Sequence, residues 1–212
     1  MSVVKRLFPA FELFDIANVI TVGNAGMSVV TVASALSGHL AISATALLFA
    51  ALLDYLDGHV ARTYLAPGTP ARALGMQLDT LADLSNFALA PATVVLFLTQ
   101  RSALGILVAG GFLLSGVIRL AFFNVTTSAV KSGYIGLPTT YAGFAIANVL
   151  LLMATGHCQV NVLLILVAAL AIAQITNVHV RKPAATTVVP VMGLLYAINL
   201  SFVFFFNSGA SF

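Results

Sequence analysis

A bundle of membrane-spanning α-helices is the fold this sequence predicts, and three observations carry the prediction. Of 212 residues, 60% are hydrophobic and 7% are charged, against about 25% charged in soluble domains. The mean hydropathy is +1.07. Apolar runs close to the ~20 residues that cross a bilayer recur along the whole chain. A soluble globular domain is thereby excluded, and nothing in the chain calls for a nucleic-acid partner. The class is all-α and polytopic.

About seven spans are expected, with six to eight as bounds. They fall at 17–36, 39–62, 73–98, 103–123, 138–155, 160–178 and 184–206. The whole chain, 1–212, reads as one membrane domain: an N-terminal segment 1–16, a core 17–142 that carries the chemistry, and further membrane helices over 143–212. Residues 1–16 mix charge with apolar side chains and suit an interfacial amphipathic helix. The first span lacks a small-residue cleavage site, and Asn24 and Gly26 interrupt it, so it is expected to be retained. TYLAPGTPAR at 63–72 reads as a surface loop. NVTTSAVKSGYIG at 124–136 reads as the longest polar connection. Span four is crowded with Gly105, Ala109, Gly110, Gly111 and Ser115, small residues that permit close helix contact. Cys158 is the only cysteine, so no internal disulfide is expected.

Charge gives the orientation. Lys5 and Arg6 before span one, Arg62 and Arg72 between spans two and three, Arg119 and Lys131 at the loop after span four, and Arg181 and Lys182 between spans six and seven fall on one side if the spans alternate, and only Arg101 falls on the other. The positive-inside rule makes the first side cytoplasmic. The chain is expected in the cell membrane with its N-terminus inside.

The six acidic residues are distributed unevenly. Glu12 and Asp15 precede the first span; the others are Asp54, Asp57, Asp79 and Asp83. Asp54, Asp57, Gly58, Ala61 and Arg62 share one helix face, and so do Gly75, Asp79 and Asp83. One set ends span two and the other begins span three, so antiparallel helices bring the faces together. An ionised side chain in a membrane helix costs about 2.5–3.5 kcal/mol on insertion scales. Four of them also repel one another, and divalent cations would settle both costs. Oxygen ligands suit magnesium, manganese or calcium. His59 is offset from the acidic face. Gly58 and Gly75 leave space beside the cations, which suggests a phosphate-bearing substrate bridged by two of them. Two other readings stay open from these residues: aspartates tied to Arg62, Arg72 and Arg119 as structural glue, and a cation carrier without enzymatic activity.

DYLDGHVAR followed by GMQLDTLAD resembles the signature of the CDP-alcohol phosphotransferases, D-x-x-D-G-x-x-A-R, a spacer, then G-x-x-x-D-x-x-x-D. DTLADLSNFALAPA at 79–92, RLAFFN at 119–124, YIGLPTTYA at 134–142 and NVITVGN at 18–24 resemble stretches of the bacterial and archaeal phosphatidylserine synthases. The resemblance implies transfer of a phosphatidyl group from CDP-diacylglycerol to L-serine with release of CMP, at a site using two magnesium or manganese ions. It implies that Asp54, Asp57 and Asp79 are metal ligands and that Asp83 is both ligand and catalytic base. Gly58 and Ala61 would admit the nucleotide, with Gly75 small on the facing helix, and Arg62 would bind phosphate or nucleotide. Arg119, Asn124 and Lys131 would meet the acceptor or the lipid phosphate. Thr21 and Asn24 would touch nucleotide or pack between helices. A homodimer embedded in membrane lipid is implied too. Other acceptors, glycerol 3-phosphate or inositol phosphate, remain alternatives. Two departures stand out: the Arg62–Gly75 spacer has twelve residues where the pattern has about eight, a change a loop tolerates; and Phe122 replaces a second arginine.

Overall fold

The computed structural model describes residues 12–64, 66, 68–126 and 134–180, with single positions 194, 197 and 201. Apart from those positions, the expected seventh span lies outside the described residues. So do most of the N-terminal segment and Lys5, Arg6, Lys131, Arg181 and Lys182.

The described fold is a helical membrane bundle. Its helices are α1 (Ile16–Leu36), α2 (Leu40–Tyr64), α3 (Pro70–Leu98), α4 (Ala103–Thr126), α5 (Thr139–Ala154) and α6 (Val160–Ile175). The first four are long and apolar enough to cross a membrane. The last two have 16 residues each, about 24 Å at 1.5 Å per residue. They are thus shorter than the spans expected at 138–155 and 160–178. Pro138 stands at the start of α5 and Gly156, with φ +75°, follows its end. Two-residue strands β1 (Tyr134–Ile135) and β2 (His179–Val180) pair antiparallel, with Tyr134 opposite Val180. This pairing was not expected from an all-α pattern.

Local chemistry sets the helix ends. Asp15 caps α1 by accepting the Asn18 N–H at 2.9 Å. Gly38, at φ +81°, turns the chain between α1 and α2, a conformation that suits glycine. The expected loop 63–72 is shorter than predicted. Helix α2 continues to Tyr64 and α3 begins at Pro70, because Thr69 caps the Arg72 N–H at 3.4 Å and proline is favoured in a first turn.

Helix α3 is one long rod with a π-helical turn at Ser85–Leu89. Pro91 explains it. Proline has no N–H and its ring collides with the carbonyl four residues back, here that of Phe87, and a widened turn relieves both problems. Asn86, Phe87 and Ala88 are all buried in that turn. Asn86 donates to the Asn24 carbonyl at 2.9 Å and to its Oδ1 at 3.1 Å, which ties α3 to α1. Phe87 lies on Gly143 of α5, and Ala88 on Gly116 of α4.

The core is Phe87 and Phe112 with Leu47, Ile146, Leu150, Leu163 and Val167. Span four's small residues divide. Ala109, Ser115 and Gly116 are buried in the bundle, whereas Gly110 and Gly111 have no heavy atom near their Cβ positions among the described residues. Arg119 is a correction: it was expected in the loop after span four, yet it is inside α4 and 4% exposed. Helix α4 runs to Thr126, so the polar connection begins later than position 124.

A Cβ on Gly143 would stand 2.5 Å from Phe87 Cδ1. Gly143→Val should therefore destabilise the bundle by about 1–3 kcal/mol through overpacking. A thermal melt in detergent checks this, and an unchanged midpoint would show that the α3–α5 contact is looser than described.

Candidate functional site

The lower half of α2 and the first turns of α3 bring the acidic residues together. One carboxylate oxygen from each of Asp54, Asp57 and Asp79 lies within 4.8 Å of the others. Asp83 is one turn along α3 from Asp79, and its carboxyl is within hydrogen-bonding reach of Asp54. Asp54 and Asp79 are likewise within reach of each other. All four acids thus converge.

Their surroundings bear on whether a cation fits. Asp57 is 3% exposed. Its Oδ2 and the Oδ1 of Asp83 are buried without a hydrogen-bond partner among the described residues. Buried carboxylate oxygens need donors or cations. The spacing suits a divalent ion with ligands at about 2.0–2.6 Å. The donor set is all oxygen, which favours hard cations over zinc or copper. His59 is exposed and stacks on Tyr55 with ring centroids 6.4 Å apart, so it is no part of this group. The residues fit a metal site.

Beside the acids lies a cleft of about 170 Å³ between α1, α2 and α3, lined by residues that include Thr21, Asp57, Gly58, Ala61, Arg62 and Asp79. Arg62 bends back over Gly58: a Cβ there would be 3.1 Å from Nη1. Thr21 donates to the Ala17 carbonyl at 3.0 Å and lies beside Asp57. Gly75 also lines the cleft, but its smallness serves packing as well. A Cβ there would stand 2.6 Å from Asn18 Oδ1.

Other expected residues lie elsewhere. Asn24 is buried and bonded to Asn86, the interhelical packing alternative. Asn124 is exposed and donates to Thr80 Oγ1 at 3.0 Å, linking α4 to α3. Arg119 does not line the cleft. Its guanidinium sits 5.1 Å from the Phe123 ring and 6.0 Å from the Tyr134 ring, on the Asp83 side of the acids. Burial pushes the Tyr134 phenol above its usual pKa, and the nearby Asp54 charge adds to this against Arg119 and Arg62. Tyr134 therefore stays a neutral hydrogen-bonding group at physiological pH. Phe122 is 45% exposed and points away from the core.

Sequence reasoning missed Asn18, Arg72 and Met76 as cleft residues, and Gln174 as a buried polar group. Asn18 donates to the Leu13 carbonyl at 2.9 Å and to the Ala71 carbonyl at 3.3 Å, which holds the start of α1 against the start of α3. Its signal was the Asn18–Thr21 spacing of three. Gln174 announced itself as a lone amide near the end of an apolar helix, where polar groups are rarely incidental.

Fold and site together define an integral membrane protein with an acidic, cation-compatible centre beside a cleft. The family model described as CDP-alcohol phosphatidyltransferase matches residues 14–209, and the chain belongs to that family. It is therefore a transferase of the phospholipid-synthesis class. It is 30% identical over 174 residues to the CDP-diacylglycerol–serine O-phosphatidyltransferase of Bacillus subtilis, covering 78% of this chain and 91% of that one. It is 28% identical over 184 residues to the archaetidylserine synthase of Methanothermobacter thermautotrophicus, covering 86% and 76%. A Saccharomyces cerevisiae CDP-diacylglycerol–serine O-phosphatidyltransferase is 35% identical over 106 residues, 45% of this chain and only 37% of the yeast protein.

Metal dependence of stability follows from the site. Manganese at about a hundred times its Kd should stabilise the chain by about 2.7 kcal/mol, read as a rise in melting temperature over the EDTA-treated protein. Asp57→Asn should lose most of that rise while folding normally in EDTA. An undiminished rise would place the bound ion elsewhere.

Proposed function

We propose that this protein transfers a phosphatidyl group from CDP-diacylglycerol to L-serine, releasing CMP and forming phosphatidylserine. The convergence of Asp54, Asp57, Asp79 and Asp83 beside a cleft floored by Gly58 and Ala61 carries the reading. The relatives' names support serine as acceptor.

The nucleotide enters between α1 and α2–α3, where Gly58 and Ala61 let it approach the helix and Arg62 meets its phosphates. Two magnesium or manganese ions, held by the four aspartates, would neutralise the diphosphate and polarise its phosphorus. Asp83 receives the proton of the serine hydroxyl, as a positioned carboxylate does in general-base catalysis. The serine oxygen forms its bond to the lipid-side phosphorus as the bond from that phosphorus to the bridging oxygen breaks. CMP departs with that electron pair. Thr21, beside Asp57, keeps the metal-facing carboxylate oriented.

The diacyl tails remain in lipid throughout. The acidic end of the bundle faces the cytoplasm of the cell membrane in this reading, since Arg62 and Arg72 flank that end and Arg101 is in the turn at the opposite one. A homodimer fits the open Gly110 and Gly111 face of α4.

Purified protein given labelled serine, CDP-diacylglycerol and manganese should release CMP and place the label in lipid. CMP release with glycerol 3-phosphate or inositol phosphate, but not with serine, would replace the acceptor. Asp83→Asn should lower turnover by about 10²–10⁴-fold with a modest loss of metal binding. Full activity in that variant would remove Asp83 from the mechanism.

A further inference from the structure

A second set of polar groups, none of them lining the cleft, gathers where α4, α6 and the turn after β1 meet. Arg119 is 4% exposed and Gln174 is 1% exposed. Arg119 Nε and Gln174 Nε2 have no hydrogen-bond partner among the described residues. Two buried, unpartnered donors on neighbouring apolar helices are costly unless something meets them.

The geometry holds both side chains in place. Ser115 is one turn before Arg119 on the same face of α4, and its hydroxyl is 3.2 Å from Gln174 Oε1. That hydroxyl also lies 2.8 Å from the Phe112 carbonyl oxygen, so Ser115 links the Gln174 amide to the backbone of α4. The Arg119 guanidinium is braced by the rings of Phe123 and Tyr134, whose centroids are 5.8 Å apart. Gly136, at φ +78°, closes the group: a Cβ there would run into the Gln174 carbonyl oxygen and stand 3.5 Å from Arg119 Cδ. The turn thus packs onto both residues at once. The Asp83 charge acts on Arg119, which relates this group to the base of the proposed reaction.

We propose that Gln174, together with Arg119, forms the subsite that takes the α-carboxylate of an amino-acid acceptor. This rests on the proposed transfer to serine and adds α6 to the acceptor site. A carboxylate accepts charge-assisted bonds from a guanidinium and has lone pairs left for an amide. An alcohol lacking the carboxylate leaves both donors unpaired, which discriminates strongly against it.

Three measurements test this. In the parent chain, L-alanine should compete with serine while ethanolamine should not; equal competition by ethanolamine overturns the proposal. Gln174→Met should raise the serine KM about tenfold, the size of one lost hydrogen bond, and leave the KM for CDP-diacylglycerol unchanged. Gln174→Glu, of the same shape but anionic, should raise the serine KM further. An unchanged serine KM in both variants overturns the proposal, and so does a parallel rise for both substrates, which marks a merely structural role. Absence of serine incorporation by the parent chain is a different result: it removes the proposed function itself, and this subsite with it.

Discussion

Repulsion among four carboxylates is the constraint around which this bundle is built. Two unit charges about 5 Å apart interact by about 3 kcal/mol at an effective dielectric of 20, and Asp54, Asp57 and Asp79 approach within 4.8 Å. Helix packing in a membrane supplies no comparable hydrophobic force to oppose that. The α2–α3 pair at this end therefore depends on positive charge placed between its helices. Arg62 lies over Gly58 at the cleft, and Arg119 is on the far side near Asp83. Among the described residues Arg62, Arg72 and Arg119 together still fall short of four acids in a buried setting, which is why bound metal ions are central to the proposed mechanism.

The remaining structure holds those helices at a fixed height and rotation. Asn18 joins the starts of α1 and α3 through the Leu13 and Ala71 carbonyls. Deeper in the bundle, Asn86 joins the same two helices through Asn24. Between these staples lie the turns that carry Asp79 and Asp83. The π-helical turn matters here because an additional residue in one turn rotates everything beyond it. It lets Phe87 and Ala88 seat on Gly143 and Gly116 without turning the acidic face away from α2.

Much of this was legible in the sequence because it depends on period and composition. The acidic face follows from spacing, and the spans follow from length and apolarity. Features that depend on tertiary neighbours were not legible in the same way. Arg119 read as a loop cation because a charge near a span end suggests an interface; its burial also involves Tyr134 and Gly136, which lie beyond the end of α4. Gly75 read as room for a ligand, whereas Asn18 occupies much of that room. Asn24 read equally as ligand or packing residue, and its bond to Asn86 is a contact that spacing alone does not show. The π-turn did have a sequence sign in Pro91, and the early start of α3 had one in Thr69–Pro70.

The most direct test is pulsed electron paramagnetic resonance of manganese bound to the purified chain. The account predicts two ions coupled at about 3.5–4 Å, the separation of two-metal sites, with the coupling lost in Asp54→Asn. A single uncoupled ion, or a coupled pair that survives loss of Asp54, would contradict it.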